Sequence, residues 1–127
     1  MYKRQDSSCD LVWIANAHGV EVYDSKCKVL DAVGDRATLA DGRIVARADV
    51  AHVIAFAGDD MVYRGVKAAL RSGKEIDLVT DVSMAASANA EGWPTYSRNE
   101  LLVETLWASA IGRAIASWAG VPFVNLV

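Results

Sequence analysis

Along the first four-fifths of the chain, apolar positions come in short runs or alternate with polar ones; along the last fifth they follow a helical period. LVWIA (11–15) is apolar and rich in β-branched and aromatic residues. VEVYD (20–24) alternates with period two. Both therefore read as strands, joined by a turn at Asn16-Ala17-His18-Gly19. KCKVLDAV (26–33) predicts a third strand. RATLADGRIVAR (36–47) predicts a hairpin, because Asp41-Gly42 is a type I′ signal in which both central residues take positive φ. A two-residue turn there sets Leu39 opposite Ile44 and Ala37 opposite Ala46 on one face. Arg36, Thr38, Val45 and Arg47 then share the other.

VAHVIAFAG (50–58) is almost continuously apolar, the pattern of a strand covered on both faces. MVYRGVKAAL and KEIDLVTDV predict a second hairpin around Arg71-Ser72-Gly73. A three-residue loop with Gly73 left-handed keeps Val66, Ala68 and Leu70 with Ile76 and Leu78. A two-residue loop would instead set Leu70 against Glu75 and Ala68 against Asp77. MAASANAEGWPTYS (84–97) is small, polar and marked by Gly and Pro, and reads as a long connection.

SRNELLVETLWASAIGRAIASWAG (97–120) predicts a helix over 98–119. Ser97 and Glu100 form a capping box, Gly120 suits the left-handed position after the helix, and Pro122 forbids continuation. Val103, Trp107, Ala110, Ile111, Ala114 and Trp118 share one face, a core-packing stripe. Ala108, Gly112, Ala116 and Gly120 recur at every fourth residue on another. Such small rows admit a second backbone closely. This row packs either on the sheet or on a second protomer, and Leu101 on the same side favours the oligomer interface. Glu104 and Arg113 argue against a membrane span, each costing about 2.5–3.5 kcal/mol near mid-bilayer.

The 127 residues fit one domain, 10–127, behind a polar lead-in at 1–9. A hydrophobic share of 53% and a charged share of 23% are globular values. A net charge of −3 with scattered lysines and arginines argues against nucleic-acid binding and against a polybasic membrane patch. Cys9 and Cys27, with His18 and His52, are too few and too dispersed for a zinc site, and the cysteines read as reduced thiols of a cytoplasmic protein. MYKRQDSSCD carries no apolar stretch and does not read as a signal peptide.

Strands with hairpins followed by one amphipathic helix give an α+β class. The order resembles the bacterial pleckstrin-homology-like domains, in which a bent antiparallel sheet, or partly open barrel, is closed by a C-terminal helix bearing a tryptophan. Trp107 matches that tryptophan. RIVARADVAHVIAF and RGVKAALRSGKEIDLV look similar to the central strands, and the resemblance spans about residues 10 to 120. It implies a binding scaffold, often oligomeric. It does not imply phosphoinositide binding, because the loop Asn16–Gly19 holds neither Lys nor Arg.

Chemistry-bearing residues are sparse. His18 sits in a turn, as a ligand contact or as a residue tolerant of unusual φ. His52 lies in an apolar strand beside Asp49. Asp59-Asp60 follow Gly58 and read as a turn, since neighbours on extended chain point apart. Trp93 and Tyr96 flank Pro94 in a predicted loop, either as partner-binding anchors or, for Trp93, as a plug for the barrel end. No catalytic residue, metal ligand set or cofactor loop is predicted. The expectation is a non-catalytic binding or assembly module that self-associates. The competing expectation is a small ligand-binding or enzymatic domain with a site between the barrel mouth and the 84–97 connection, built from His18, His52, Asp59 and Asp60.

Overall fold

The computed structural model describes residues 11–16, 18–24, 27–57, 64–80 and 107–127. Five strands form one antiparallel sheet in chain order: β1 (Leu11–Asn16), β2 (Gly19–Asp24), β3 (Cys27–Val33), β4 (Arg36–Leu39) and β5 (Ile44–Ala46). A 3-10 turn, Arg47–Asp49, carries the chain into a second sheet. There β6 (Val50–Ala57), β7 (Arg64–Leu70) and β8 (Glu75–Thr80) form an antiparallel meander. The helix α1 (Trp107–Ala119) follows, and β9 (Phe123–Asn125) then runs parallel to β6, giving the order β8-β7-β6-β9. The class is the expected α+β, with two antiparallel-rich sheets and a C-terminal helix. Among the described residues the sheets do not close into one barrel. β5 and β6 are consecutive in the chain but belong to different sheets.

The hairpin at Asp41-Gly42 departs from its predicted register. The observed pairs are Thr38 with Ile44, Ala37 with Val45 and Arg36 with Ala46. The Leu39 amide donates to Arg43 O at 2.8 Å and the Gly42 amide to Leu39 O at 2.9 Å, closing a three-residue loop with Gly42 at φ +88°. Val45 therefore turns inward with Ala37 and Leu39, and Ile44 is 58% exposed. The hairpin at Arg71–Gly73 has the predicted three-residue loop, with Leu70 and Lys74 closing it and Ala68 opposite Ile76. Beyond that pair an irregularity between Val66 and Lys67 shifts the register, and Leu78, Val79 and Thr80 are all buried.

The helix is apolar almost all round because it is covered almost all round. It packs on β6, β7 and β9 of one sheet and on β1 and β2 of the other. Trp107, Ile111, Ile115 and Trp118 are buried, and so are Ala108, Gly112 and Ala116. The small-residue row thus lies inside the chain's own core rather than on its surface, which corrects the reading of Ala108, Gly112 and Ala116 as an oligomer interface. Gly112 shows why the row is small. A Cβ there would meet the Phe123 ring at 2.6 Å, too close for any contact. Arg113 and Ser117 are exposed, and Ser109, Ala110, Ala114 and Ala119 are half-buried. The helix ends as predicted at Gly120, with φ +69°. The Gly120 amide donates to Ser117 O at 3.2 Å and the Val121 amide to Ala116 O at 3.1 Å, a Schellman pair. Among the described residues no helix is long and apolar enough to cross a membrane.

Candidate functional site: a cleft at the end of the helix

The turn Gly34-Asp35, between the paired Val33 and Arg36, ties four parts of the chain together. Its Gly34 amide donates to His18 O at 3.2 Å, fixing the β1–β2 loop. Its Gly34 carbonyl accepts the Trp118 indole N–H at 3.1 Å, fixing the last turn of α1. Its Asp35 carbonyl accepts the Arg47 amide at 2.7 Å, fixing the 3-10 turn that joins the sheets. The indole bond satisfies a donor on a buried side chain that would otherwise cost free energy, and the two backbone bonds join exposed residues.

These elements enclose a cleft of about 620 Å³. β1 and β2 supply Ala15 and Val20, with His18 between them at the rim. Val33 and Gly34 form a second side, and Ala114, Ser117 and Trp118 of α1 a third. Arg47 completes the wall, its guanidinium 6.0 Å from the centre of the Trp118 ring, within cation–π range. Apolar surfaces with three separated polar groups and the volume of a small molecule are the ordinary makings of a ligand pocket. A second cleft, of about 510 Å³, shares Arg47 but adds the carboxylate of Asp35 and the side chain of Arg71. There Arg71 Nε already donates to Ala48 O at 2.9 Å.

Close approach of backbones shapes the rim. A Cβ on Gly19 would sit 1.9 Å from Ala32 O, so only glycine lets the strand after His18 lie against β3.

Of the residues singled out from the sequence, His18 lines the cleft. His52 lies half-buried on β6, in the other sheet, and does not line it. Asp59, Asp60, Trp93, Tyr96 and Leu101 lie outside the described residues. Among the described residues no three His, Cys, Asp or Glu side chains gather as a metal site would require. Sequence reasoning missed Arg47, which it treated as one face of a hairpin, and it took Trp118 for a core anchor alone. Trp118 does anchor the core, but it also lines the cleft.

The other polar cluster is a surface network across β2 and β3. Tyr23 OH donates to Glu21 at 2.6 Å, and Lys28 pairs with Glu21 at 3.2 Å and Asp31 at 3.4 Å. The hydrogen bond from Tyr23, and then the one from Lys28, hold the Glu21 carboxyl below its usual range. Its groups pair with one another on an exposed face, as surface charges ordinarily do.

No protein-family model, curated protein or solved structure matches this chain.

Proposed function

We propose that this protein is a binding module whose small-molecule ligand sits in the cleft between the His18 loop, Arg47 and the last turn of α1. One observation carries the reading. Side chains from five elements, β1, β2, β3, the 3-10 turn and α1, converge with His18 on one concave space of mixed polar and apolar lining, and three hydrogen bonds through a single turn hold the His18 loop, α1 and the 3-10 turn in place. A site held by its scaffold loses little entropy when a ligand arrives. The strand-then-helix order also supports the pleckstrin-homology-like reading, in which the scaffold serves to bind rather than to catalyse.

A diverse library of small organic molecules, screened by amide chemical shifts of the ¹⁵N-labelled protein, tests the reading. Binders are expected to move the resonances of His18, Gly34, Arg47, Ser117 and Trp118 together. A library that yields no binder, or binders that cluster elsewhere, overturns it.

Self-association is a second reading, and it now rests on β1 rather than on the helix. Trp13 is 37% and Ile14 50% exposed, on the end strand of the five-stranded sheet. Exposed apolar side chains on an end strand favour contact with another chain. Native mass spectrometry is expected to show an oligomer that Trp13→Asp with Ile14→Asp dissociates. A monomer at micromolar concentration, or an oligomer indifferent to the double substitution, removes this second reading.

A further inference from the structure

We infer that the ligand of the Arg47–Trp118 cleft is a small organic oxyanion: an apolar, preferably aromatic body carrying one carboxylate or phosphate directed at Arg47. The inference rests on the binding reading above and adds the chemistry of the ligand.

Charge is the first argument. The chain carries 16 Asp and Glu against 13 Lys and Arg, a net charge of −3. The cleft departs from that average. Its lining contains Arg47 and His18 and no carboxylate. A low-dielectric concavity lined by one sign of charge attracts the opposite sign. The neighbouring cleft is mixed in sign, with Asp35 lining it beside Arg47 and Arg71.

The helix end is the second. The C-terminus of a helix normally repels anions through its unpaired carbonyls. In α1 the carbonyls of Ser117 and Ala116 are taken up by the amides of Gly120 and Val121. Beside Trp118, the last turn lines the cleft with Ser117, whose hydroxyl can donate to an oxyanion.

The shape of the remainder supplies the third. Ala15, Val20, Val33 and Ala114 give the cleft apolar surface, and the Trp118 ring, 6.0 Å from the Arg47 guanidinium, adds an aromatic one. An anion whose body rests on those surfaces places its head beside Arg47, whose planar fork matches a carboxylate or phosphate with two parallel hydrogen bonds. A second cation would face an arginine and no acid.

Three probes of similar size decide the matter: phenylacetate, phenyl phosphate and phenethylamine, titrated into the ¹⁵N-labelled protein with the Trp118 indole resonance assigned by Trp118→Phe. At least one anion is expected to shift Trp118, Gly34 and Arg47 and to saturate, while phenethylamine at the same concentration does not. The relative affinity of the carboxylate and the phosphate tells the two head groups apart. Arg47→Gln, an exposed substitution that preserves the backbone bond to Asp35, is expected to weaken the anion about tenfold or more, as losing a charge-assisted hydrogen bond does. Arg43→Gln, at the tip of the distant β4–β5 loop, is expected to leave it unchanged. Phenethylamine binding the cleft as well as the anions, or Arg47→Gln without effect on a bound anion, overturns the inference and leaves the binding reading standing. Library binders in the cleft with no response to either anion do the same. A cleft that neither the library nor the probes touch overturns both.

Discussion

The β4–β5 and β7–β8 hairpins are built on one plan, yet only the second can be read from its residues. In each, a leucine amide donates to a carbonyl four residues on at 2.8 Å, Leu39 to Arg43 and Leu70 to Lys74. In each, a glycine amide returns to the leucine carbonyl at 2.9 Å. Gly42 and Gly73 take φ of +88° and +94°. The loops are the type I turn with a left-handed third residue, the common three-residue hairpin connection. What differs is the contrast between faces in the strands beside them. Glu75 and Asp77 alternate with Ile76 and Leu78, so a slip of one residue would turn carboxylates inward and the register is strongly specified. Ile44, Val45 and Ala46 are apolar in succession. Either register of β5 turns apolar side chains inward, and the Asp-Gly pair points to the wrong one. Turn chemistry is a weaker guide than face contrast where the two disagree.

The largest expected effect tests that register directly. Val45 is 5% exposed and Ile44 58%. Val45→Asp places an uncompensated charge in the core and is expected to destabilise the fold by about 3–5 kcal/mol. Ile44→Asp is expected to change it by less than about 0.5 kcal/mol, as a surface substitution does. Urea unfolding of the two variants reads the difference. A two-residue loop would exchange the outcomes, so a costly Ile44→Asp beside a mild Val45→Asp would show that the register described above is wrong.

The same contrast explains what else was legible. The C-terminal end of α1 carries its own chemistry, and Gly120 with Pro122 marks the stop that the Schellman bonds realise, while the predicted capping residues Ser97 and Glu100 lie outside the described residues. The burial of Val50 and Val53–Ala55 follows from the almost continuous apolar run of β6, Val50–Ala57, which His52 interrupts. The destination of the small-residue row was not legible. Ala108, Gly112 and Ala116 allow close approach without saying by whom, and the answer, Phe123 of β9 with Ala55 of β6 at Gly112, comes from segments far apart in the chain. β9 itself is three residues beyond a proline, too short for any periodicity. The cleft is less legible still. His18, Gly34, Arg47 and Trp118 are separated by at least a dozen residues each, and only the fold's closure on the Gly34-Asp35 turn brings them together.

A middle-sized effect asks whether the two loops are energetically as alike as their geometry. A Cβ on Gly42 or on Gly73 would meet nothing within 4 Å, so each alanine substitution carries only the cost of a left-handed backbone. That cost is about 1–2 kcal/mol per residue. Gly42→Ala and Gly73→Ala are therefore expected to destabilise by equal amounts within a few tenths of a kcal/mol, comparing midpoints of unfolding at one pH. A cost at one site and none at the other would mean that one loop rearranges, and the shared plan would fail.

The smallest effect separates the loops by their side chains. In the first, Asp41 accepts the Arg43 amide at 3.0 Å and Arg43 Nε at 2.7 Å. In the second, Ser72 Oγ accepts the Lys74 amide at 3.4 Å, a longer bond to a group that does not titrate. The Arg43 backbone amide, and after it the Arg43 guanidinium, hold the Asp41 carboxyl below the usual carboxylate range. A carboxyl whose folded pKa is depressed stabilises the fold fully above its unfolded pKa, and that contribution disappears as pH falls through the folded value. Stability measured for the native protein minus that for Asp41→Asn is thus expected to be positive at neutral pH. It should shrink once the medium is acid enough to titrate a free aspartate and vanish when Asp41 itself is protonated. The corresponding difference for Ser72→Ala should stay flat over the same interval. Both groups are exposed, so salt will screen the ionic part of the Asp41 contribution and leave its backbone bond. A difference for Asp41→Asn that is flat or grows in acid would remove the Asp41–Arg43 clasp as the feature distinguishing the two loops, and only the face contrast of their strands would remain.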